Sequence, residues 1–182
     1  SIGVQSFHND ELKWMNRAHT AEESFRSLQL AKEIGFNNIT ADLIFGIPNS
    51  NLEKWKSNLV QMLDLKIPHL SIYALTVEEK TALAHFVKKG KVSPLEDEVV
   101  IEQFQHTIEY LEGQQYKHYE ISNYAKPGYE AVHNSNYWKS RNYLGIGPAA
   151  HSFNGSSRSF NIAHNPKYIE AIKNSKPAIQ TE

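Results

Sequence analysis

Cysteine is absent from all 182 residues. That excludes disulfides, a thiol nucleophile and any metal centre held by thiolates within this sequence. Charge of neither sign is in excess: 19 Lys and Arg stand against 20 Asp and Glu, a net charge of −1. With no basic stripe, a partner gripped mainly through phosphates is not expected, and no nucleic acid is read as a ligand. No apolar run approaches the roughly 20 residues that span a bilayer. A basic leader with an apolar stretch behind it is missing too, and the expectation is a cytoplasmic protein. The chain also lacks an initiating Met. Ser1-Ile2-Gly3-Val4-Gln5-Ser6-Phe7 reads at once as a strand, and Gln180-Thr181-Glu182 carries no stop signal. The expectation is a segment of a longer protein.

What the sequence does have is rhythm. After the first strand, Thr20 and Glu23 form a capping-box pair, and Ala21, Phe25, Leu28 and Ala31 repeat at helical spacing up to Gly35. Ile39 to Phe45 is a second strand with Asp42 inside it, and Gly46-Ile47-Pro48 turns the chain. Leu52, Trp55, Leu59 and Met62 mark a second helix that closes before Pro68. His69 to Leu75 is a third strand. Ser93, Pro94 and Glu96 give a cap, a proline at the first helical position and a capping acid. Val100, Phe104, Ile108 and Leu111 line that third helix, and Tyr116 to Tyr124 reads as a fourth strand.

Such alternation predicts an α/β fold with parallel strands built from βαβ units. Four strands are too few to close an eight-stranded barrel, which leaves an open sheet or part of a partial barrel. Two regions are expected: 1–125 with the βα units, and 126–182, rich in Gly, Asn, Ser and aromatics. The second is expected to be mostly loop, with a short helix starting at Asn165-Pro166.

Candidate site residues fall into two groups. In α/β folds of either kind, ligands sit at the C-terminal ends of strands. Gln5, Asp42 and Tyr73 lie in strands or near those ends, and Arg17 lies just before a helix. A carboxylate within a buried strand is costly unless paired. Asp42 is therefore either a structural acceptor or an acceptor for ligand hydroxyls or an ammonium. Gln5 alone reads as a buried structural amide and Arg17 alone as a surface cation; together they suit a polar ligand clamp. The second group is His133-Asn134-Ser135-Asn136-Tyr137-Trp138, followed by the glycine loop from Tyr143 to Ser152. His133 read alone is a surface histidine, and Tyr137 and Trp138 read alone are core aromatics. Read together they suit a flat, π-rich ligand with a metal, since imidazole ligates heme iron and aromatic faces stack on a porphyrin. Gly145, Gly147 and Pro148 form a tight loop but not a phosphate-binding fingerprint. His151 is a second possible ligand.

The run from Ser1 to Phe7, Arg17, the run from Ile39 to Pro48, the run from Leu70 to Thr76, the run from Tyr119 to Ala125 and the Gly145–Ser152 loop occur in order. In that order they resemble the radical S-adenosylmethionine enzymes of the oxygen-independent coproporphyrinogen III oxidase family. The intact His-Asn-x-x-Tyr-Trp pattern at His133, Asn134, Tyr137 and Trp138 resembles the HemW-like branch, the heme chaperones. The resemblance implies the C-terminal half of a partial (β/α)6 barrel. It implies that Gln5, Arg17 and Asp42 contact S-adenosylmethionine. It also implies that His133, Tyr137 and Trp138 bind heme, with His133 on the iron. A [4Fe–4S] cluster is implied for the longer protein, because its Cys-x3-Cys-x2-Cys motif has no counterpart here. A heme or porphyrin ligand and an apo-hemoprotein acceptor are the implied partners. The alternative activity implied is oxidative decarboxylation of coproporphyrinogen III. This segment itself is expected to be inactive, and cutting a barrel is expected to expose edges through which it self-associates. One departure is local: Ser50 stands near a position where the family commonly has glutamine.

Overall fold

The computed structural model describes residues 1–181. The described residues fall into two compact units, 1–130 and the residues from 131 onward. The first is an α/β layer and the second a small antiparallel sheet with two helices.

In the first unit β1 (Ile2–Gln5), β2 (Thr40–Phe45) and β3 (His69–Ala74) run parallel. Between them lie α1 (Asn9–Trp14), α2 (Ala21–Glu33) and α3 (Leu52–Asp64). The expected capping box is formed: the Thr20 hydroxyl accepts from Glu23 N while Glu23 reaches back to Thr20 N at 2.7 Å. α3 buries Trp55, Asn58, Leu59 and Met62 on its predicted apolar face. These side chains join Leu28, Ala41, Leu43, Phe45, Leu70 and Ile72 in one core. Strand alternation does the sorting. Ala41, Leu43 and Phe45 face that core, which leaves Thr40, Asp42 and Ile44 on the opposite face of the sheet.

Two expectations fail here. The third long helix, α5 (Asp97–Gly113), starts three residues after Pro94, and a short helix, α4 (Ala82–Lys88), precedes it. More important, Tyr116 to Tyr124 is not a fourth parallel strand. It is a hairpin of β4 (Lys117–Glu120) and β5 (Asn123–Ala125), and β5 pairs antiparallel to β3. The sheet order is β1-β2-β3-β5-β4, so the sheet is mixed. The reversal at Ile121-Ser122 has a side-chain cause. Glu120 Oε1 accepts from Ser122 N at 3.3 Å and from the Asn123 amide, closing a tight turn without Gly or Pro.

The second unit is more regular than expected. α6 (Val132–Trp138) leads to β6 (His151–Phe153) and β7 (Arg158–Asn161). Then come α7 (Asn165–Lys173), at the predicted Asn165-Pro166 start, and β8 (Ile179–Thr181). The three strands form an antiparallel sheet. Among the described residues no helix is long and apolar enough to cross a membrane.

Candidate functional site

The first site is built at β1 and β2. Parallel pairing sets Gly3 opposite Asp42, and a bulge between Gly3 and Gln5 breaks the register. At the bulge Gln5 takes a left-handed backbone (φ 68°), a conformation that costs a non-glycine residue about 1–2 kcal/mol. The kink folds the Gln5 side chain back over Gly3. A Cβ at residue 3 would lie 2.6 Å from the Gln5 amide nitrogen and 3.9 Å from Asp42 Oδ2. With glycine at residue 3 the Gln5 amide can lie over β1 on the side of Asp42; a Cβ there would push that flexible side chain away. Asp42 is half-buried and accepts from the Ser1 hydroxyl at 3.1 Å. Burial raises its pKa above the ordinary carboxylate value, against the lowering pull of the Ser1 hydroxyl, the Ser1 α-ammonium and Ser71. Arg17 is exposed and lines a cavity of about 530 Å³ with Trp14, Ile44, Leu75, Leu83 and Phe86. Ile44 lies two residues past Asp42 on the same strand face, so the cavity opens toward the C-terminal ends of β2 and β3. Tyr73 pairs with Ile44 across that face.

Beneath this mouth lies a buried network that the sequence did not signal. Glu11, on α1, is 3% exposed. Its carboxylate accepts from the Ser6 hydroxyl at 2.5 Å, the Ser50 hydroxyl at 2.6 Å and the Asn58 amide at 3.4 Å. Asn58 Oδ1 in turn accepts Phe7 N at 2.7 Å. Four segments are joined: the end of β1 just past Gln5, α1, the loop after Gly46-Ile47-Pro48, and α3. Ser50 thus fills its position as a donor to a buried carboxylate. The available clue was Asn58, an amide on an otherwise apolar helix face.

A second unforeseen feature is a polar row across the sheet. Gly3, Asp42, Ser71, Asn123 and Glu120 are successive register partners. Ser71 donates to Asn123 Oδ1 at 2.6 Å, and the Asn123 amide donates to Glu120. One row away, buried His69 shares a 2.7 Å hydrogen bond with the Tyr119 hydroxyl, and burial lowers its pKa below the usual histidine value.

The second site lies in the 131–182 unit. His133 and Tyr137 are one helical turn apart on α6, their rings edge-on with centroids 4.8 Å apart. Tyr137 meets Tyr143 edge-on at 4.7 Å, and Tyr143 meets Phe153 at 6.2 Å. Tyr143 and Phe153 also exchange two backbone hydrogen bonds of 2.9 Å. His133 is therefore the exposed end of an aromatic ladder anchored on β6. Tyr137 and Trp138 are 47% and 58% exposed, which rules out the reading of simple core aromatics. The glycine loop is rigidly braced. Gly145 N donates to Ser152 Oγ at 2.9 Å, and the Asn161 amide donates to the carbonyls of Gly147 at 2.8 Å and Gly145 at 3.2 Å. A Cβ on Gly145 would lie 2.3 Å from the carbonyl oxygen of His151. Asn161 was not foreseen; nothing in Phe160-Asn161-Ile162 marks it.

Among the described residues no group of three or more His, Cys, Asp or Glu is placed to hold a metal ion. With no thiolates the chain cannot ligate an iron–sulfur cluster. A single exposed imidazole flanked by exposed rings does fit the donor set of a heme, whose porphyrin supplies the other four ligands.

The Radical SAM superfamily model matches residues 1–59, the stretch with Gln5, Arg17 and Asp42. The chain is related to radical SAM proteins of the HemW kind. It is 37% identical over 172 residues to the heme chaperone HemW of Bacillus subtilis, covering 94% of this chain and 45% of that protein. Against the heme chaperone HemW of Escherichia coli it is 40% identical over 151 residues, covering 83% of this chain and 39% of the relative. The chain thus spans less than half the length of the curated relatives it matches. The solved coproporphyrinogen III oxidase HemN of Escherichia coli superposes on 98% of this chain, and 44% of its own, with a TM-score of 0.76. At 21% identity that likeness establishes the α/β fold alone.

Proposed function

We propose that this chain is the part of a HemW-like heme chaperone that carries the heme-binding element and one wall of an S-adenosylmethionine site. In this reading residues 1–125 are the C-terminal half of a partial (β/α)6 barrel, whose missing strands and cluster cysteines belong to the longer protein. The observation that supports heme binding most is the exposed array of His133, Tyr137 and Trp138, braced from behind by Tyr143 and Phe153. His133 supplies the iron ligand, and Tyr137 and Trp138 present ring faces to the porphyrin. The exposed ring faces of Tyr137 and Trp138 are costly to leave in water, and a flat apolar ligand covers them.

Gln5, Asp42 and Arg17 form the cofactor wall. Asp42 accepts hydrogen bonds from hydroxyls or the ammonium of S-adenosylmethionine, Gln5 donates beside it, and Arg17 holds a polar group at the cavity rim. The bound cluster and cofactor supply one-electron chemistry; these side chains only bind and orient. The segment alone is inactive because it has no cluster ligands. Heme passes from His133 to an apo-hemoprotein, and the edge strands of the isolated segment pair with a second copy.

Hemin titration of the longer protein, followed at the Soret band, tests the reading. A shift that is lost in His133→Ala and weakened in Trp138→Ala is expected. No shift in the intact protein overturns the chaperone reading in favour of coproporphyrinogen III decarboxylation, to which the same cofactor wall would be suited.

A further inference from the structure

Gln5 sits at the centre of a three-residue turn. Ser6 N donates to the Val4 carbonyl at 2.9 Å, across Gln5 at φ 68°. That is a γ-turn of the rare, strained hand. It coincides with the bulge: from Gly3 to Gln5 β1 spends two residues where β2 spends one, from Asp42 to Leu43. Val4 and Phe7 both enter the core, although a regular strand sends residues three apart to opposite faces. Strain of this kind persists only where the surroundings over-determine it. Both flanks of Gln5 are fixed. Before it, the Val4 carbonyl also meets His19 Nε2 at 3.1 Å. After it, the Ser6 hydroxyl donates to Glu11 at 2.5 Å and accepts from His8 N at 3.0 Å, and Phe7 N donates to Asn58 Oδ1 at 2.7 Å. Ser6, Glu11 and Asn58 are all buried, and burying a carboxylate and an amide costs more than apolar packing would.

We propose that Ser6, Glu11 and Asn58 are positioning residues for the cofactor wall: they hold the strained turn that folds the Gln5 amide back over Gly3. They act through Gln5, not on the ligand. The proposal rests on the reading of Gln5 as an S-adenosylmethionine contact, and it adds what sets the direction of that contact. The amide carries both a donor and an acceptor. Aimed before binding, it meets hydroxyl or amino groups without a further loss of side-chain freedom.

Ser6→Ala is the mildest release of the turn, because Glu11 keeps Ser50 and Asn58 as donors. In this chain, NMR should show a strong intraresidue Hα–HN cross-peak at Gln5, the mark of positive φ, and it should weaken in Ser6→Ala. Gln5→Gly should unfold at higher urea than Gln5→Ala, the reverse of the order in a regular strand. In the longer protein, S-adenosylmethionine affinity should fall about tenfold in Gln5→Ala, the scale of one hydrogen bond, and about as much in Ser6→Ala. The double variant should bind no more weakly than Gln5→Ala alone. A merely structural Ser6 lowers affinity by the same factor whether or not Gln5 is present. Multiplying losses, a cross-peak that stays strong in Ser6→Ala, or wild-type affinity in Ser6→Ala beside a weakened Gln5→Ala each overturn the positioning role. If Ser6→Ala fails to fold, Glu11→Gln loosens the hold on Ser6 and takes its place in the cycle. Unchanged affinity in Gln5→Ala overturns the reading of Gln5 as a cofactor contact, while the cross-peak and the urea order still decide whether the network holds the turn.

Discussion

Glu11→Ala should be among the most damaging single changes in the first unit. The side chain is buried, and three donors converge on its carboxylate: the Ser6 hydroxyl, the Ser50 hydroxyl and the Asn58 amide. A hydrogen bond to a charged acceptor contributes about 1.5–3 kcal/mol net. The donors do not suffer equally when it goes. Ser6 has a second acceptor in Asn58 Oδ1 at 3.3 Å, and Ser50 is only partly buried and can turn to water. Asn58 Nδ2 has no such alternative among its hydrogen bonds and is left in the core. With partial compensation for two donors, the expected loss is about 3–5 kcal/mol, the worth of about two such bonds. Glu11→Gln keeps one acceptor oxygen and should lose about half as much. Urea unfolding followed by far-ultraviolet dichroism reads this. With a slope of about 2 kcal/mol per molar, the Glu11→Ala midpoint falls by about 2 M. A midpoint within about 0.3 M of wild type would refute the claim that this network ties β1, α1, the loop at Ser50 and α3 together.

Other outcomes follow from single groups. The Tyr116 hydroxyl donates to the Ile67 carbonyl at 2.5 Å and its pKa is pushed up to about 12 by burial, whereas the buried Tyr124 hydroxyl has no partner. Tyr116→Phe should therefore cost about 1 kcal/mol and Tyr124→Phe nothing or less, as read by paired urea curves. Burial lowers the His69 pKa, so the folded chain binds fewer protons there than the unfolded chain does. Its contribution is complete above the unfolded value near 6.5 and is lost as pH falls from there toward the folded pKa. Unfolding midpoints at pH 8 and pH 5 should differ less in His69→Gln than in wild type. Gly145→Ala meets backbone atoms of His151 and Ala150 within 3 Å and must distort the loop. Amide spectra should change across residues 143–162, and an unchanged spectrum there would contradict the tight packing at Gly145.

The fold was legible where periodicity is strong. Thr20 to Gly35 and Leu52 to Met62 announce amphipathic helices, and the strands between them alternate or stay apolar. It was illegible where a side chain makes the turn. Glu120 reverses the chain at Ile121-Ser122 without a Gly or Pro, so one apparent parallel strand is an antiparallel hairpin. α1 and α4, of six and seven residues, are too short to show a period. In the site, the residue types were readable but their meeting was not. Gln5 folds back over Gly3 because a bulge throws its backbone to positive φ, and a bulge leaves no mark in composition. The Asp42–Ser71–Asn123–Glu120 row depends on register across three strand pairs. The bracing of the glycine loop by Asn161 depends on β7 lying beside it. Such features belong to tertiary geometry, and single-residue patterns do not encode them.

The central claim is that His133 is the heme ligand of this segment. Low-temperature electron paramagnetic resonance of the hemin-loaded protein tests it through the iron itself. An imidazole-ligated ferric heme is expected, its signal lost in His133→Ala and restored when free imidazole is added to that variant. An unchanged signal in His133→Ala would contradict it, placing the iron on another residue.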